Sequence, residues 1–181
     1  MAASVNVGHG LSVLLALVPM ALWAQIPEAY QRVARHSGVP ANVLFAVALQ
    51  ESGISLRKRR LPWPWTLNIA GRGRYYASSG EACRALLKAQ LHTRTERIDV
   101  GLMQLNLGYQ QRHYQQPCEL LDPARNLTVA ATILRQHRRI GESWIPAIGR
   151  YHRPAGGAAA VRYRRSVAKH LDQLAVERLS P

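Results

Sequence analysis

Residues 40–53 read PANVLFAVALQESG. Pro40 suits the first position of a helix, where its missing N–H is not needed. Behind it, Leu44, Val47, Ala48 and Glu51 fall at i, i+3, i+4 and i+7 and share one helical face. Gly53 stops the run. That face is apolar until its end. The pattern predicts a core helix whose last turn carries a carboxylate to the place where core meets solvent.

The same period continues on both sides. Upstream, residues 27–36 read as a short helix ended by Gly38. Downstream, residues 61–76 change character. Pro62 and Pro64 exclude a helix, Trp63, Trp65, Leu67 and Ile69 alternate, and Gly71 and Gly73 supply a turn before Tyr75 and Tyr76. A small β-hairpin or extended insert is expected around 61–77. Ser78-x-x-Glu81 is a capping box for a helix running to about residue 92. Residues 100–107 read as a short helical piece. Asp122 then caps a helix with Pro123 at its first position, and Leu127, Ala130, Ala131 and Leu134 form its buried stripe. Arg135, Arg138 and Arg139 fall near its C-terminus, where the helix dipole favours cations, and Gly141 ends it. A short helix over 143–151 follows. The last helix, over 158–178, buries Val167, Leu171, Leu174 and Ala175. No strand–helix alternation appears, so the fold class is mainly α, a single helical domain with one small β element.

The 181 residues suit one domain with one real core. Residues 1–24 stand apart. An apolar run over 11–23 ends at Ala24-Gln25, which has the layout of a secretory signal peptide and is short for a bilayer span. A retained N-terminal anchor is the other reading. Either implies export, to the periplasm or cell envelope. The first charged residue is Glu28, so the formal charge of +14 belongs to the remainder. Such a charge implies a polyanionic partner or simple solubility. Nucleic acid is not expected, because an export signal is present and no DNA- or RNA-binding motif is. Anionic wall polymer and peripheral contact with anionic lipid remain. The run at 57–60 (Arg-Lys-Arg-Arg) reads either as part of that attraction or as a solvated loop. Cys83 and Cys118 either pair in an oxidising compartment or stay as buried thiols. Neither has the spacing of a zinc site, and no metal is expected.

Glu51 is the first candidate for chemistry. Partial burial disfavours the charged carboxylate and raises its pKa. A carboxylic acid held protonated near neutral pH can hand its proton to a leaving oxygen, as breaking a glycosidic bond requires. Position alone also allows an ordinary helix-end glutamate paired with an arginine.

Three further segments add to this. Gln50-Glu51-Ser52-Gly53 is followed in order by Gly101-Leu102-Met103-Gln104-Leu105-Asn106 and by Ala147-Ile148-Gly149-Arg150-Tyr151-His152. Asp122-Pro123-Ala124-Arg125-Asn126-Leu127 stands between the last two. Together they resemble the soluble lytic transglycosylase family, the goose-type-lysozyme-like branch of the lysozyme superfamily, over roughly residues 27–152. The resemblance implies an α+β lysozyme-like fold, peptidoglycan glycan strands as substrate, no cofactor, and a monomer. It makes Glu51 the catalytic acid and then base. The sugar's own C6 hydroxyl would attack C1 and leave a 1,6-anhydro product. It also makes Ser52, Met103, Gln104 and Tyr151 substrate-binding or orienting residues.

Ordinary glycosidases need two carboxylates. This chain has ten acidic residues. Asp99 is the one other candidate, and as an N-cap of the short helix expected after it, it would have only a local role. A one-carboxylate mechanism matches the family's chemistry. The chain departs from the family in two places. His152 stands where the third motif has Asn, and the interval from Glu51 to Gly101 is long. The extra material is similar to a sub-branch encoded with conjugation and type IV secretion machinery, which opens local gaps in the wall for a transport apparatus. Within it, Trp65 or Tyr75 either stacks on glycan or packs the insert onto the domain. A non-catalytic wall-binding module and a true hydrolase on the same fold are the alternatives.

Overall fold

The computed structural model describes residues 26–57 and 59–179, with side chains as far as Val176. The export segment expected over 1–24 lies outside them, as does Lys58. Within the described residues the fold is mainly α, with α1 (Glu28–Ser37), α2 (Ala41–Ser52), α3 (Ser79–Gln90), α4 (Pro123–His137), α5 (Trp144–His152) and α6 (Gly157–Leu179). Among the described residues are six short strands, β1 (Gly53–Leu56), β2 (Arg59–Pro62), β3 (Thr66–Ile69), β4 (Arg72–Tyr75), β5 (Ile98–Val100) and β6 (Leu105–Asn106), of which the first five lie with α3 in the long interval between Glu51 and Gly101.

Helix α2 is the axis of the core. Every residue from Val43 to Leu49 is buried, and so is Ser52. The helix is therefore buried all round rather than along one face, as a helix enclosed by neighbours must be. Helices α1 and α6 pack on it, with α6 fixed near its end where the Ser166 hydroxyl donates to Gln50 Oε1 at 2.6 Å. Pro40 is the N-cap rather than the first helical residue.

Expectations change around α2. The basic run after it is only partly a loop: Arg57 lies in a turn, and Arg59 and Arg60 begin β2. β1 and β2 pair antiparallel, Gly53 opposite Pro62 and Leu56 opposite Arg59. Arg60 turns back and donates from Nε to Leu49 O at 3.2 Å, satisfying a carbonyl that the helix end would leave bare. Gly53 is needed at that junction, because a Cβ there would come within 2.3 Å of Leu49 O and 2.6 Å of Arg60 Nε.

The expected helical piece over 100–107 is instead strand, turn and strand. Asp99 pairs with Asn106 and Val100 with Leu105. Gly101 (φ 81°) and Gln104 (φ 45°) make the turn, and positive φ at both ends breaks any helix. Asp99 is thus a strand residue and caps nothing. The hairpin expected at 61–77 is present as β3 and β4, joined through Ala70 and Gly71. With β5 and β6 it forms one sheet in the order β4-β3-β5-β6.

The other helices follow their sequence signals closely. Ser78 caps α3, accepting from Glu81 N at 3.3 Å. Asp122 caps α4, accepting from Arg125 N at 2.7 Å. The α4 stripe of Leu127, Ala130, Ala131 and Leu134 is buried. That helix ends at His137, before Gly141, and Arg138 turns out to lie over the Trp144 ring at 4.6 Å. On α6, Val167 and Leu174 are buried and Leu171 packs against the core, but Ala175 is exposed. The α6 stripe begins earlier, at Ala160 and Tyr163. Cys83 on α3 and Cys118 are disulfide-bonded, with Cα atoms 5.3 Å apart.

Candidate active site

The end of α2 and the inner face of the sheet border a cleft of about 830 Å³. Glu51 lines it, from the last turn of α2. Its Oε1 accepts a hydrogen bond from the Tyr163 hydroxyl of α6 at 2.5 Å. Burial pushes the carboxyl up to about 7, the Tyr163 bond pulls it back, and the negative charge of Asp99 adds a further upward push. A carboxyl poised there holds its proton near neutral pH and can still release it. Tyr163 is itself held in place, its ring stacked on His152 with centroids 4.4 Å apart and planes 3° off parallel. His152 thus supports the tyrosine that touches Glu51.

Tyr151 also lines the cleft. Its hydroxyl donates to Met103 O at 2.7 Å, so its proton is committed to the backbone. Burial, with the charges of Glu51 and Asp99, keeps that hydroxyl neutral. Gln104 lines the wall as well. Its Nε2 donates to Gly101 O at 2.8 Å and Thr66 O at 3.2 Å, which leaves the amide oxygen for the cleft.

The structure places Ser52 and Met103 beneath the cleft rather than in it. Ser52 is buried, and its hydroxyl donates to Leu102 O at 2.8 Å, tying the end of α2 to the 101–104 turn. Met103 is fully buried. Its backbone N–H donates to Asn126 Oδ1 at 2.9 Å, and its carbonyl receives Tyr151. Asn126 in turn donates to Val100 O at 2.9 Å and Leu120 O at 2.8 Å. This buried amide fixes the turn that carries Gln104. It also excludes a side chain at Gly101, whose Cβ would lie 2.3 Å from Asn126 Nδ2.

The two aromatic candidates of the insert separate. Tyr75 lines the cleft and is 55% exposed. Trp65 does not line it. It packs against the core, edge-on to Trp63 at 5.8 Å, while Trp63 Nε1 donates to Tyr76 O at 2.7 Å. Trp65 is a packing residue because its strand neighbour Thr66 takes the cleft-facing position.

One site residue has a place the sequence did not give it, and one carries no motif. Asp99, the one other carboxylate candidate, caps no helix but lines the cleft with Glu51, its Oδ1 accepting from Asn106 Nδ2 at 2.8 Å and its Oδ2 from Asn68 Nδ2 at 3.1 Å. Burial raises its pKa and the two amide bonds lower it. The signal was the alternation of Ile98, Asp99 and Val100, which is too short to establish a strand. Tyr163 is the other. It lies among Arg162, Arg164 and Arg165, outside every quoted motif. Among the described residues, no group of His, Cys, Asp and Glu could hold a metal ion, and no helix is long and apolar enough to cross a membrane.

A comparison with protein families matches residues 28–175 to the transglycosylase SLT domain. Neither a curated protein nor a solved structure matches the chain.

Proposed function

The chain belongs to the transglycosylase SLT domain family, and on that premise we propose that it cleaves the β-1,4 bond between N-acetylmuramic acid and N-acetylglucosamine, leaving a 1,6-anhydro sugar. Members of the family are generally lytic transglycosylases acting on peptidoglycan. The observation that carries the finer reading is Glu51, a carboxyl raised to about 7 by burial at the mouth of a cleft. In its protonated form it gives the proton to the bridging oxygen as the C1–O bond breaks. The resulting carboxylate then takes the proton from the C6 hydroxyl of the same sugar while that oxygen bonds to C1. Glu51 ends protonated and no water is consumed. Tyr163 supports both halves, since its hydroxyl stabilises the ionised intermediate form without taking up the proton.

A second reading has its own observation. Asp99 shares the cleft with Glu51 and is fixed by two amide donors. A second carboxylate could hold a water for attack, which would make the protein a hydrolytic muramidase. Digestion of purified peptidoglycan, with fragments weighed by mass spectrometry, separates the two. Anhydro ends from wild type, and none from Glu51→Gln, support the transglycosylase. Hydrated ends that vanish in Asp99→Asn support the hydrolase. No cleavage by wild type would sink both and leave a wall-binding module.

The substrate lies in the cell wall, so the proposal includes export to the cell envelope through residues 1–24. The length of chain between Glu51 and Gly101, folded as two hairpins and α3, supports a place beside a conjugation or type IV secretion apparatus that needs local gaps in the wall.

A further inference from the structure

Helix α3 carries apolar residues on two sides. Its inner face, Ala82 and Leu86, is buried in the same core as Leu67, Ile98 and Val100. Cys83 ties the helix to the 117–121 turn through the disulfide with Cys118. The outer face carries Leu87 and Leu91, 49% and 75% exposed. Leu91 is the C-cap and keeps right-handed helical backbone, so the two leucines stand one above the other. Ala82 and Leu91 are separated by about two and a half turns, which puts them on opposite sides of the helix. A lone exposed leucine is ordinary. A helix apolar on both sides is one that packs on both sides, and nothing among the described residues covers the outer one.

Cations surround these leucines. Arg84, Leu87, Lys88 and Leu91 fall at i, i+3, i+4 and i+7 and form one exposed stripe. Lys88 suits the helix dipole at a C-terminus; Arg84, in mid-helix, has no such reason. Two more cations lie on the same side of the sheet. Arg72 of β4 stands opposite Ile69 and Arg74 opposite Leu67. Cross-strand partners share a face, and that face is the one α3 covers, since Leu67 is buried with Leu86. All four cations are exposed, and none belongs to an ion pair among the described residues. Glu81, the carboxylate at the start of the stripe, is turned back to accept from Ala77 N at 3.2 Å.

Unpaired cations around bare leucines match a surface that is anionic outside and apolar just beneath. A wall polymer is anionic but has no apolar layer. The stripe also faces away from the cleft. Thr66, Asn68 and Asp99 line the cleft, while Leu67, Ile98 and Val100, alternating with them, point into the core under α3. The sheet stands between the two surfaces.

We propose that the outer face of α3 docks on an anionic lipid bilayer, with Leu87 and Leu91 at headgroup depth, Arg84, Lys88, Arg72 and Arg74 on the lipid phosphates, and the cleft turned away from the membrane. This adds a second surface to the peptidoglycan reading and does not depend on it.

The test places a polarity-sensitive fluorophore on the full chain, at Leu91→Cys or, for comparison, at Ala158→Cys on the exposed start of α6. Vesicles of phosphatidylglycerol and phosphatidylcholine should shift the emission at position 91 to the blue and leave position 158 unchanged. Vesicles of phosphatidylcholine alone should shift neither. Arg84→Gln with Lys88→Gln should weaken the binding read at position 91 by about tenfold or more. Arg162→Gln with Arg165→Gln, the same loss of charge on exposed positions of α6, should weaken it by less than about threefold. Thermal midpoints should hold, because both pairs are exposed. Vesicle binding without a shift at position 91 would mean that residues 1–24 or another face holds the lipid, and it overturns the proposal. An equal shift on phosphatidylcholine alone, or no binding at all, does the same. So does a shift at position 91 without vesicles that grows with protein concentration, which would make α3 the contact between two copies. None of these outcomes bears on cleavage of peptidoglycan, which is assayed separately.

Discussion

At the scale of single residues, the cleft turns a carboxyl of ordinary acidity into one that titrates near 7. Cleavage should therefore fall as pH rises through about 7, since the acid form starts the reaction; a pH–rate profile checks this. Tyr163→Phe removes a donor to the carboxylate, so the proton is held more tightly and the alkaline limb should move up. A merely structural tyrosine would lower activity without moving the limb. Stability follows the same linkage. The folded pKa of Glu51 lies above its unfolded value, so its protonation supports the fold below about 4.5, and that support is lost as pH rises through about 7. Glu51→Gln should then stabilise the protein at pH 8 by roughly 2 kcal/mol, discounted because the cleft admits water, and by almost nothing at pH 4. Denaturant melts at the two pH values measure it. Glu51 was legible because a long helical period carries a residue's position with certainty. Asp99 was not, because β5 has three residues and β6 two, and so short a run shows no period. Tyr163 was half-legible: the buried stripe read from Val167 onward extends back by four residues to reach it.

At the scale of elements, the motif Asp122–Leu127 does two jobs that its sequence shows only one of. Asp122 caps α4, as its residue type announces. Asn126 faces inward and joins three backbone segments, which no local pattern reveals. Asn126→Leu leaves those groups unpaired and should cost about 2–4 kcal/mol, read as a shifted denaturation midpoint. Activity should fall further than stability, because the turn bearing Gln104 loses its anchor. The disulfide between Cys83 and Cys118 closes a loop with a sequence separation of 35. Replacing both cysteines by serine should cost about 3–4 kcal/mol, measured against the oxidised wild type. Even knowing the cysteines, sequence could not pair them, since pairing depends on where α3 and the 117–121 turn meet. The β1–β2 hairpin was hidden for another reason. Arginine-rich strands look like solvated loops until the carbonyl that Arg60 satisfies is known.

At the scale of the molecule, charge is unevenly matched. The chain carries a formal +14, and Glu28, Glu96, Glu119 and Glu142 are each already paired with an arginine. The excess cations meet water or a polyanion. Binding to peptidoglycan sacculi should weaken steeply as salt rises from about 0.01 M to 0.15 M, where screening shortens from about 30 Å to 8 Å. A sedimentation assay with Glu51→Gln would detect it, and salt-independent binding would show that the cleft alone holds the polymer. Composition made this charge plain, whereas no property of the sequence tells which face it favours. The longest-range contact of the site has a consequence in time. Glu51 and Tyr163 are 112 residues apart in the chain. A chain still being synthesised exposes Glu51 long before residue 163 exists. The hydrogen bond that completes the site forms only once α6 has docked on α2.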